Sequence, residues 1–573
     1  MNKKYIIIAS ALICLTTSCS DFLEQDNRSN VSTSSFYNTS TGFESLTNSM
    51  YSSLRTIYNA QPALFCGGTD IWCDGKSQSV AFTYYTFTTA DGYVQSFYQN
   101  CYKGIQAANA VISYGATTTQ TSVTNQYIDE ARFIRAWYYF QLVQQFGAVP
   151  LTNEMYSSAI MSFPRNSLKE VYDFIISEFT YLVSSDSKLL ERSASGVGRA
   201  NKRAANFFLA KAYLTRAWLN GKDYESQEDN VAQTGDFANA AKYALAAIAG
   251  AKPTQSIEKV FDINNETNDE IFWSAQFSSA SVNDPTKDGS YQQAQFGSYL
   301  GGSEYPLNKA IDGNFAPSLH LNQLFARGDG RYEQTFMQEF HTNYFDYYTS
   351  PKTSKIKFYY APWWATDADI AAWKADDPNG LKANAVISKT IATGGIAPSN
   401  GKLETYTNRR SMDFGVACVK KFDDYSTTSI SNRSSVCSMH DVVLARLGEA
   451  YLIAAEAYTE SGDTKTAADL INTLRSRPGT VKTGYETSMA VASANMSTDF
   501  ILDERARELC GEYVRWTDLK RTHKLFEYIQ KYQEDPIDFN NLKGTDGKWK
   551  CLRPIPQAAI DLNKAGITQN PGY

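Results

Sequence analysis

Two segments far apart in the chain carry the same apolar spacing, and that spacing limits the fold more than any other feature. The first reads Ala212-Tyr213-Leu214, then Gly235-Asp236-Phe237, Ala240-Ala241, Leu245, Ile248 and Pro253. The second reads Ala450-Tyr451-Leu452, then Gly462-Asp463, Ala467-Ala468, Ile471, Leu474 and Pro478. In both, a small Ala is followed four and seven residues on by larger apolar side chains, the spacing of one helix face. Small residues let two helices approach closely, and the larger ones fill the gaps between them. Proline soon after each run ends the helix. A chain built this way stacks helical hairpins.

The pattern is the second-helix half of a tetratricopeptide repeat, whose period is about 34 residues. Tyr451, Ala454, Ala455 and Tyr458 fit the first-helix half. In the earlier copy an insertion from Gly221 to Thr234 lengthens the loop. Further helices are expected over 41–58, 93–113, 129–146, 167–182 and 499–519. The third carries Phe133, Trp137, Phe140 and Val143 on one face, with acids at its start and Gly147 and Pro150 at its end. The fourth opens on Ser167-x-x-Glu170, a capping box. Between the repeats the texture changes. Ile271 to Phe277 reads as a short strand, and 278–440 is rich in Gly, Ser, Asn, Tyr and Trp with weak helical periodicity. The expected fold class is mainly α: a tetratricopeptide-like helical-repeat scaffold with an irregular, loop-rich ligand-binding lobe containing a few short strands.

The N-terminus reads as an address. Lys3 and Lys4 precede an apolar run from Tyr5 to Leu15, well short of the roughly 20 residues that span a bilayer. Leu15-Thr16-Thr17-Ser18-Cys19 then has the form of a bacterial lipobox, which makes Cys19 the expected lipidation site. Residues 20–26 carry three acids, and a Ser/Thr-rich tether runs to about residue 40. No second long apolar run follows. The expected divisions are 1–18, a lipoprotein signal; 19–40, the lipidated N-terminus and tether; 41–255, a helical region with repeat hairpins; 256–440, an aromatic-rich insert; and 441–573, a second hairpin and C-terminal region.

Charge and cysteine use narrow the function. Lys and Arg total 54 against 60 Asp and Glu, a net charge of −6, with basic residues only in scattered pairs. Nucleic acid would demand a clustered basic face. After Cys14 and Cys19, seven cysteines remain, no two in a C-x-x-C pair, so a disulfide framework or zinc ribbon has no support. Cys66 and Cys73 lie in one loop and could pair, although separate thiols are favoured. Catalytic signatures are missing too. There is no G-x-S-x-G or H-E-x-x-H, and the four histidines have no ligand spacing. Gly75-Lys76-Ser77 lacks the upstream glycine of a phosphate loop, since that position is Asp70. Residues 376–380 (Asp-Asp-Pro-Asn-Gly) read as a turn more readily than a calcium loop, and 503–507 reads as a charged helix face. No cofactor or metal is expected.

Several stretches together resemble the SusD-like (RagB/SusD) family of Bacteroidota outer-membrane lipoproteins. They are Glu130-Ala-Arg-Phe-Ile-Arg-Ala-Trp-Tyr-Tyr-Phe140 with Phe146-Gly-Ala-Val-Pro-Leu151; Gly198-Arg-Ala-Asn-Lys-Arg-Ala-Ala205; Asp503-Glu-Arg-Ala-Arg-Glu-Leu509; Arg515-Trp-Thr-Asp-Leu-Lys-Arg521; Arg553-Pro-Ile-Pro556; and Gln569-Asn-Pro-Gly-Tyr573. The resemblance implies a non-enzymatic glycan-binding protein at the cell surface, seated as a lid on a SusC-like TonB-dependent transporter. It also implies a platform aromatic in the loop after the first helix, which makes Trp72 the first candidate ligand contact and Asp70 the second. Tyr and Trp suit sugars because they pair a flat apolar face with a polar tip. On that ground Tyr84, Tyr291, Tyr299, Tyr305, Trp363 and Trp364 complete the candidate set. Capture of peptides or glycopeptides, a repeat-type protein scaffold and a surface glycosidase are the alternatives. Cys19→Ala is expected to shift the protein from the membrane fraction to the soluble one, as immunoblots of fractionated cells would record.

Overall fold

A computed structural model gives the fold and describes residues 33–59, 62–76, 80–119, 121–156, 158–221, 230–278, 289–301, 308–311, 315–389, 395–396, 403–404, 406–425 and 437–573. The leader, Cys19 and most of the tether lie outside these residues. The main helices are α1 (Ser40–Ser52), α2 (Gly92–Thr117), α3 (Ser122–Phe146), α4 (Leu168–Val183), α5 (Lys202–Trp218), α6 (Asp236–Ile248), α7 (Leu447–Glu460), α8 (Thr464–Arg475), α9 (Thr498–Glu508) and α10 (Arg515–Arg521). The strands are short: β1 (Trp72–Asp74), β2 (Ile271–Ala275), β3 (Phe315–Pro317), β4 (Glu339–His341), β5 (Ile356–Ala361), β6 (Val386–Lys389), β7 (Gly395–Ile396), β8 (Leu403–Glu404) and β9 (Val442–Arg446). The protein is mainly α.

The two hairpins identified by their Ala spacing, α5–α6 and α7–α8, stack directly, because α6 packs on both α5 and α7. Ala240, Ala244, Ala247, Ala450, Ala454 and Ala457 are all fully buried at this seam. Small side chains on both faces bring the backbones together, and Tyr213 and Tyr243 stack across α5 and α6 with ring centroids 5.8 Å apart. Local signals set the helix ends. Ser167 and Glu170 form the expected capping box of α4, and Asp463 caps α8 by accepting from the Thr466 amide.

Four sequence expectations change in the structure. Helix α3 starts at Ser122, capped by Thr121, so Asp129 and Glu130 are buried inside it and are not its starting acids. Asp129 accepts from the Ser187 hydroxyl (3.0 Å), and Glu130 accepts from Arg199 (2.7 Å). The run expected over 41–58 breaks after Ser52 and resumes as a short helix, Arg55–Asn59. The helix expected over 499–519 is two helices, α9 and α10. Between them Gly511 (φ +78°) and Tyr513 (φ +60°) adopt left-handed backbone and turn the chain. The charged stretch 503–507 is no solvated face, for Glu504 and Arg505 are buried.

The insert is stitched to the scaffold by sheet pairing. β2 and β9 pair antiparallel where the chain leaves and re-enters the scaffold. β1 pairs antiparallel with β3, in the register Trp72–Pro317, Cys73–Ala316 and Asp74–Phe315. β4, β5 and β6 form a mixed sheet. Leu300, Ile311, Met337, Phe340, Phe358 and Phe414 belong to a second, smaller core within the insert. Each of the seven described cysteines is buried and outside any disulfide, and Cys73 donates to Gln533 Oε1 (3.2 Å) instead of pairing with Cys66. The 376–380 segment is a turn, with Asp377 accepting from the amides of Leu381 and Lys382. Among the described residues, no helix is long and apolar enough to cross a membrane.

Helices α2 and α3 meet closely at Gly104. A Cβ there would lie 2.1 Å from a ring carbon of the buried Tyr138. Alanine is the better helix former by about 1 kcal/mol, so only this contact can make Gly104→Ala unfavourable. The variant is expected to lose about 1–2 kcal/mol net in urea unfolding, as overpacking of a rigid core dictates.

Candidate functional site

The sequence placed Asp70 and Trp72 at a ligand; the structure places both in the core. Asp70 is fully buried, with Arg515 of α10 donating Nε to Oδ1 (2.8 Å) and Nη2 to Oδ2 (2.5 Å). Burial alone would raise the Asp70 carboxyl. The Arg515 guanidinium, helped by His320, holds it well below the usual range. Trp72 is 2% exposed. Its strand is paired on β3, and its ring lies 4.5 Å from that of Phe296. These two residues are the floor of the region and offer no surface to a ligand.

Above this floor, four stretches of chain converge. The Asp74 amide donates to Asp535 (2.9 Å), and the Asp74 carboxylate accepts from Thr83 (2.6 Å). Arg410 donates to Asp535 (3.2 Å) and approaches Glu534 (3.8 Å). Half-buried Tyr84 lies beside them. Its phenol is raised first by burial and then by Asp535 and Asp74. Two residues beyond Asp74, Lys76 pairs with Asp413 (2.7 Å), and its Nζ lies 4.3 Å from the Tyr299 ring centroid. The Tyr299 carbonyl accepts from the Phe414 amide (3.0 Å). The result is a half-exposed cluster of one tyrosine ring, an ammonium and a carboxylate, with Tyr84 beside the adjoining Asp74–Asp535 group. Rings of this kind take the C–H face of a sugar, and the charged groups take its hydroxyls.

The other candidates fall elsewhere. Tyr291 is half-buried, and its carbonyl accepts from the Gln295 side chain (3.2 Å). Tyr305 lies outside the described residues. Trp363 is the most exposed tryptophan at 36%. Its indole N–H donates to the Phe325 carbonyl (2.9 Å), and its ring meets Trp364 edge-on at 5.9 Å. Trp364 is half-buried against Tyr332. This pair has its own partners, shared with neither Lys76 nor Tyr299. Trp373, in the same aromatic run, is stacked on Tyr359 at 4.0 Å. Sequence reasoning missed Arg410, Asp413 and Asp535, which have no linear motif in common. Lys76 was visible only as a fragment of an incomplete phosphate loop.

Asp74 is the strained member of this site. Its Oδ2 is buried with no hydrogen-bond partner among the described residues. Burial first, and then Asp535, push the carboxyl up to about 6, against the bond from Thr83. A folded-state value above the unfolded one means the folded protein holds the proton more tightly. Asp74 therefore costs stability as pH rises from about 4 through 6. Asp74→Asn is expected to be more stable than the parent at pH 7. That advantage should shrink by about 2–3 kcal/mol by pH 4, as urea titrations at the two pH values would measure.

Comparison with known proteins follows the same architecture. Residues 214–573 match the family model described as "SusD family", and residues 21–214 match one described as "Starch-binding associating with outer membrane". "SusD-like protein P2" of Formosa agariphila is 24% identical over the full length of both chains. "Starch-binding protein SusD" of Bacteroides thetaiotaomicron is 24% identical, over 78% of this chain and 72% of that one. Among solved structures, a SusD homolog from Bacteroides thetaiotaomicron superposes with a TM-score of 0.69 at 20% identity, covering 96% of this chain and 99% of that one. A "Laminarin binding SusD-like protein" gives 0.64 at 19% identity, covering 93% and 100%. With a family model matched over more than half its length and the fold shared throughout, the chain belongs to the SusD family and is an outer-membrane-associated protein of the cell surface.

Proposed function

We propose that the protein is a lipid-anchored, non-enzymatic glycan receptor that captures an oligo- or polysaccharide and hands it to a SusC-like TonB-dependent transporter. The observation that carries this reading is the cluster of Lys76, Tyr299 and Asp413, with Tyr84 beside the adjoining Asp74–Asp535 group, which combines aromatic surface with hydrogen-bonding charge. The relatives named for starch and laminarin binding support it. On this reading the 256–440 insert supplies ligand contacts and the stacked hairpins are left for the transporter. The lipid on Cys19 keeps the receptor at the membrane, and a triacylated cysteine meets the requirement for more than one chain in a stable anchor.

Binding follows from ordinary forces. Sugar rings settle against Tyr299 and Tyr84, exchanging water for aromatic contact. Lys76 donates to a sugar oxygen and Asp413 accepts from a hydroxyl, at the expense of part of their mutual ion pair. An exposed pair of this kind is worth little, so the exchange is nearly free. The core beneath, clamped by Asp70 and Arg515, keeps the face from collapsing.

Calorimetry against soluble starch, laminarin and a panel of plant and algal glycans tests the proposal. Tyr84→Ala and Tyr299→Ala are each expected to weaken binding by about three- to tenfold, the usual worth of one aromatic contact, with unfolding midpoints unchanged. Trp72→Ala, by contrast, should cost about 3–5 kcal/mol of stability as a core truncation. Reducing ends released by the purified protein, or binding of peptides and of none of the glycans, would sink the reading.

A further inference from the structure

A cavity of about 340 Å³ lies within the 256–440 insert and shares no lining residue with the residues just described. It is at the lower end of the range for small-molecule sites, roughly 300–1,000 Å³. One wall comes from the start of the insert, around Glu258 and Asp262. The others come from the turn Tyr344–Tyr348 and from residues 420–425.

Its interior is built and already bonded. Tyr348 and Tyr425 stack with centroids 4.4 Å apart and planes 11° from parallel. Tyr348 donates to Asp423 (2.6 Å), and Tyr425 donates to Asp262 (2.5 Å). Asp423 is further held by Tyr344 and by Lys309. The Tyr347 ring has Lys352 Nζ at 4.3 Å and Lys420 Nζ at 4.4 Å. Lys420, 3% exposed, donates to the Tyr347 hydroxyl (2.6 Å) and to Glu258 (2.9 Å). These bonds fix the aromatic walls before any ligand arrives, which lowers the ordering cost of binding.

Hydrogen-bonding capacity remains at the mouth. The Lys352 ammonium is 3.9 Å from its nearest carboxylate, Glu339, and the Glu258 carboxylate is half exposed. The Tyr347 hydroxyl accepts from Lys420 and keeps its own proton to donate. Donors and acceptors are thus interleaved around aromatic walls. The lining lysines are already held by carboxylates, Lys420 by Glu258, Lys259 by Asp262 and Lys421 by Glu512, so a phosphate or nucleotide would have to displace those partners, and a purely apolar ligand would strand the polar rim. A neutral, hydroxyl-rich ring satisfies both kinds of group at once.

We propose that this cavity is a second, independent carbohydrate site that holds a single neutral pyranose unit of the glycan captured at Tyr84 and Tyr299. The proposal rests on the glycan-capture reading. Two contacts on one polymer raise the effective concentration at each, so the chain is held more tightly than by either site alone.

Saturation-transfer NMR with glucose, galactose, mannose and xylose, together with calorimetry on the glycan panel, tests it. The probed proteins are the full mature chain, the Tyr84→Ala/Tyr299→Ala double variant, Tyr347→Ala and Lys352→Ala. Lys352 is partly exposed, so its removal leaves the fold intact if Tyr347→Ala does not. The expected result is a monosaccharide signal that survives in the double variant. Lys352→Ala and Tyr347→Ala should weaken it by about tenfold or more, as loss of a charged hydrogen-bond donor or an aromatic wall implies. If a panel glycan binds but the monosaccharide signal is absent, or is unchanged by Lys352→Ala, the second site is wrong and glycan capture stands. If no glycan of the panel binds the mature chain, both readings fall together.

Discussion

Glu504 and Glu508, one turn apart on α9, are buried, and the guanidinium groups of Arg331, Arg446, Arg475, Arg477 and Arg507 converge on them. Those arginines come from different places. Arg331 opens a short helix of the insert, Arg446 ends β9, and Arg475 and Arg477 close the second hairpin. Burial would raise the Glu508 carboxyl, but Arg477, Arg446 and Arg331 bring it down to about 2, so it stays ionised. Removing one partner of such a buried set leaves an uncompensated charge, a loss of about 3–5 kcal/mol. The network therefore does more than stabilise α9. Through Arg331 it ties the insert to α9 of the scaffold.

The same device is repeated outward from the hub. Arg505 joins Asp518 of α10 to Glu449 of α7, and Arg521 joins Glu456 of α7 to Asp518. Asp70 and Arg515 tie the loop after the first helices to α10. Ion pairs require both partners at defined distances, so they specify register in a way that apolar packing alone does not. The proposed ligand surface, drawn from residues 74–76, 84, 299, 410–413 and 535, needs that kind of specification, because no single element carries it.

The helical scaffold was legible from the chain because its signals are local. Ala240, Ala244, Ala450 and Ala454 repeat within single helices, and Ser167 with Glu170 or Asp463 with Thr466 cap them within one turn. Misreadings arose where a local signal had a distant partner. Asp129 and Glu130 look like helix-start acids until Ser187 and Arg199 claim them. Residues 503–507 look like a solvated face until arginines from the insert and the second hairpin cover them. The candidate site was legible in part: Tyr84 and Tyr299 were found as aromatics of the right chemistry, whereas Arg410, Asp413 and Asp535 carry no pattern that marks them.

Trp72 shows where the boundary lies. Sequence alone determined an exported chain, its helical hairpins, its likeness to a family, and an excess of aromatics in the loops. Those follow from composition and short-range spacing, which act on neighbours along the chain. Whether a given ring faces solvent or core was decided only when β1 paired with β3 and Phe296 closed over Trp72. That pairing joins residues far apart in the chain, and in strands of three residues alternation is too short to mark a face. Burial of a loop aromatic is a property of its tertiary partner, so only the tertiary structure could move Trp72 and Asp70 into the floor and leave Tyr84 and Tyr299 on the surface.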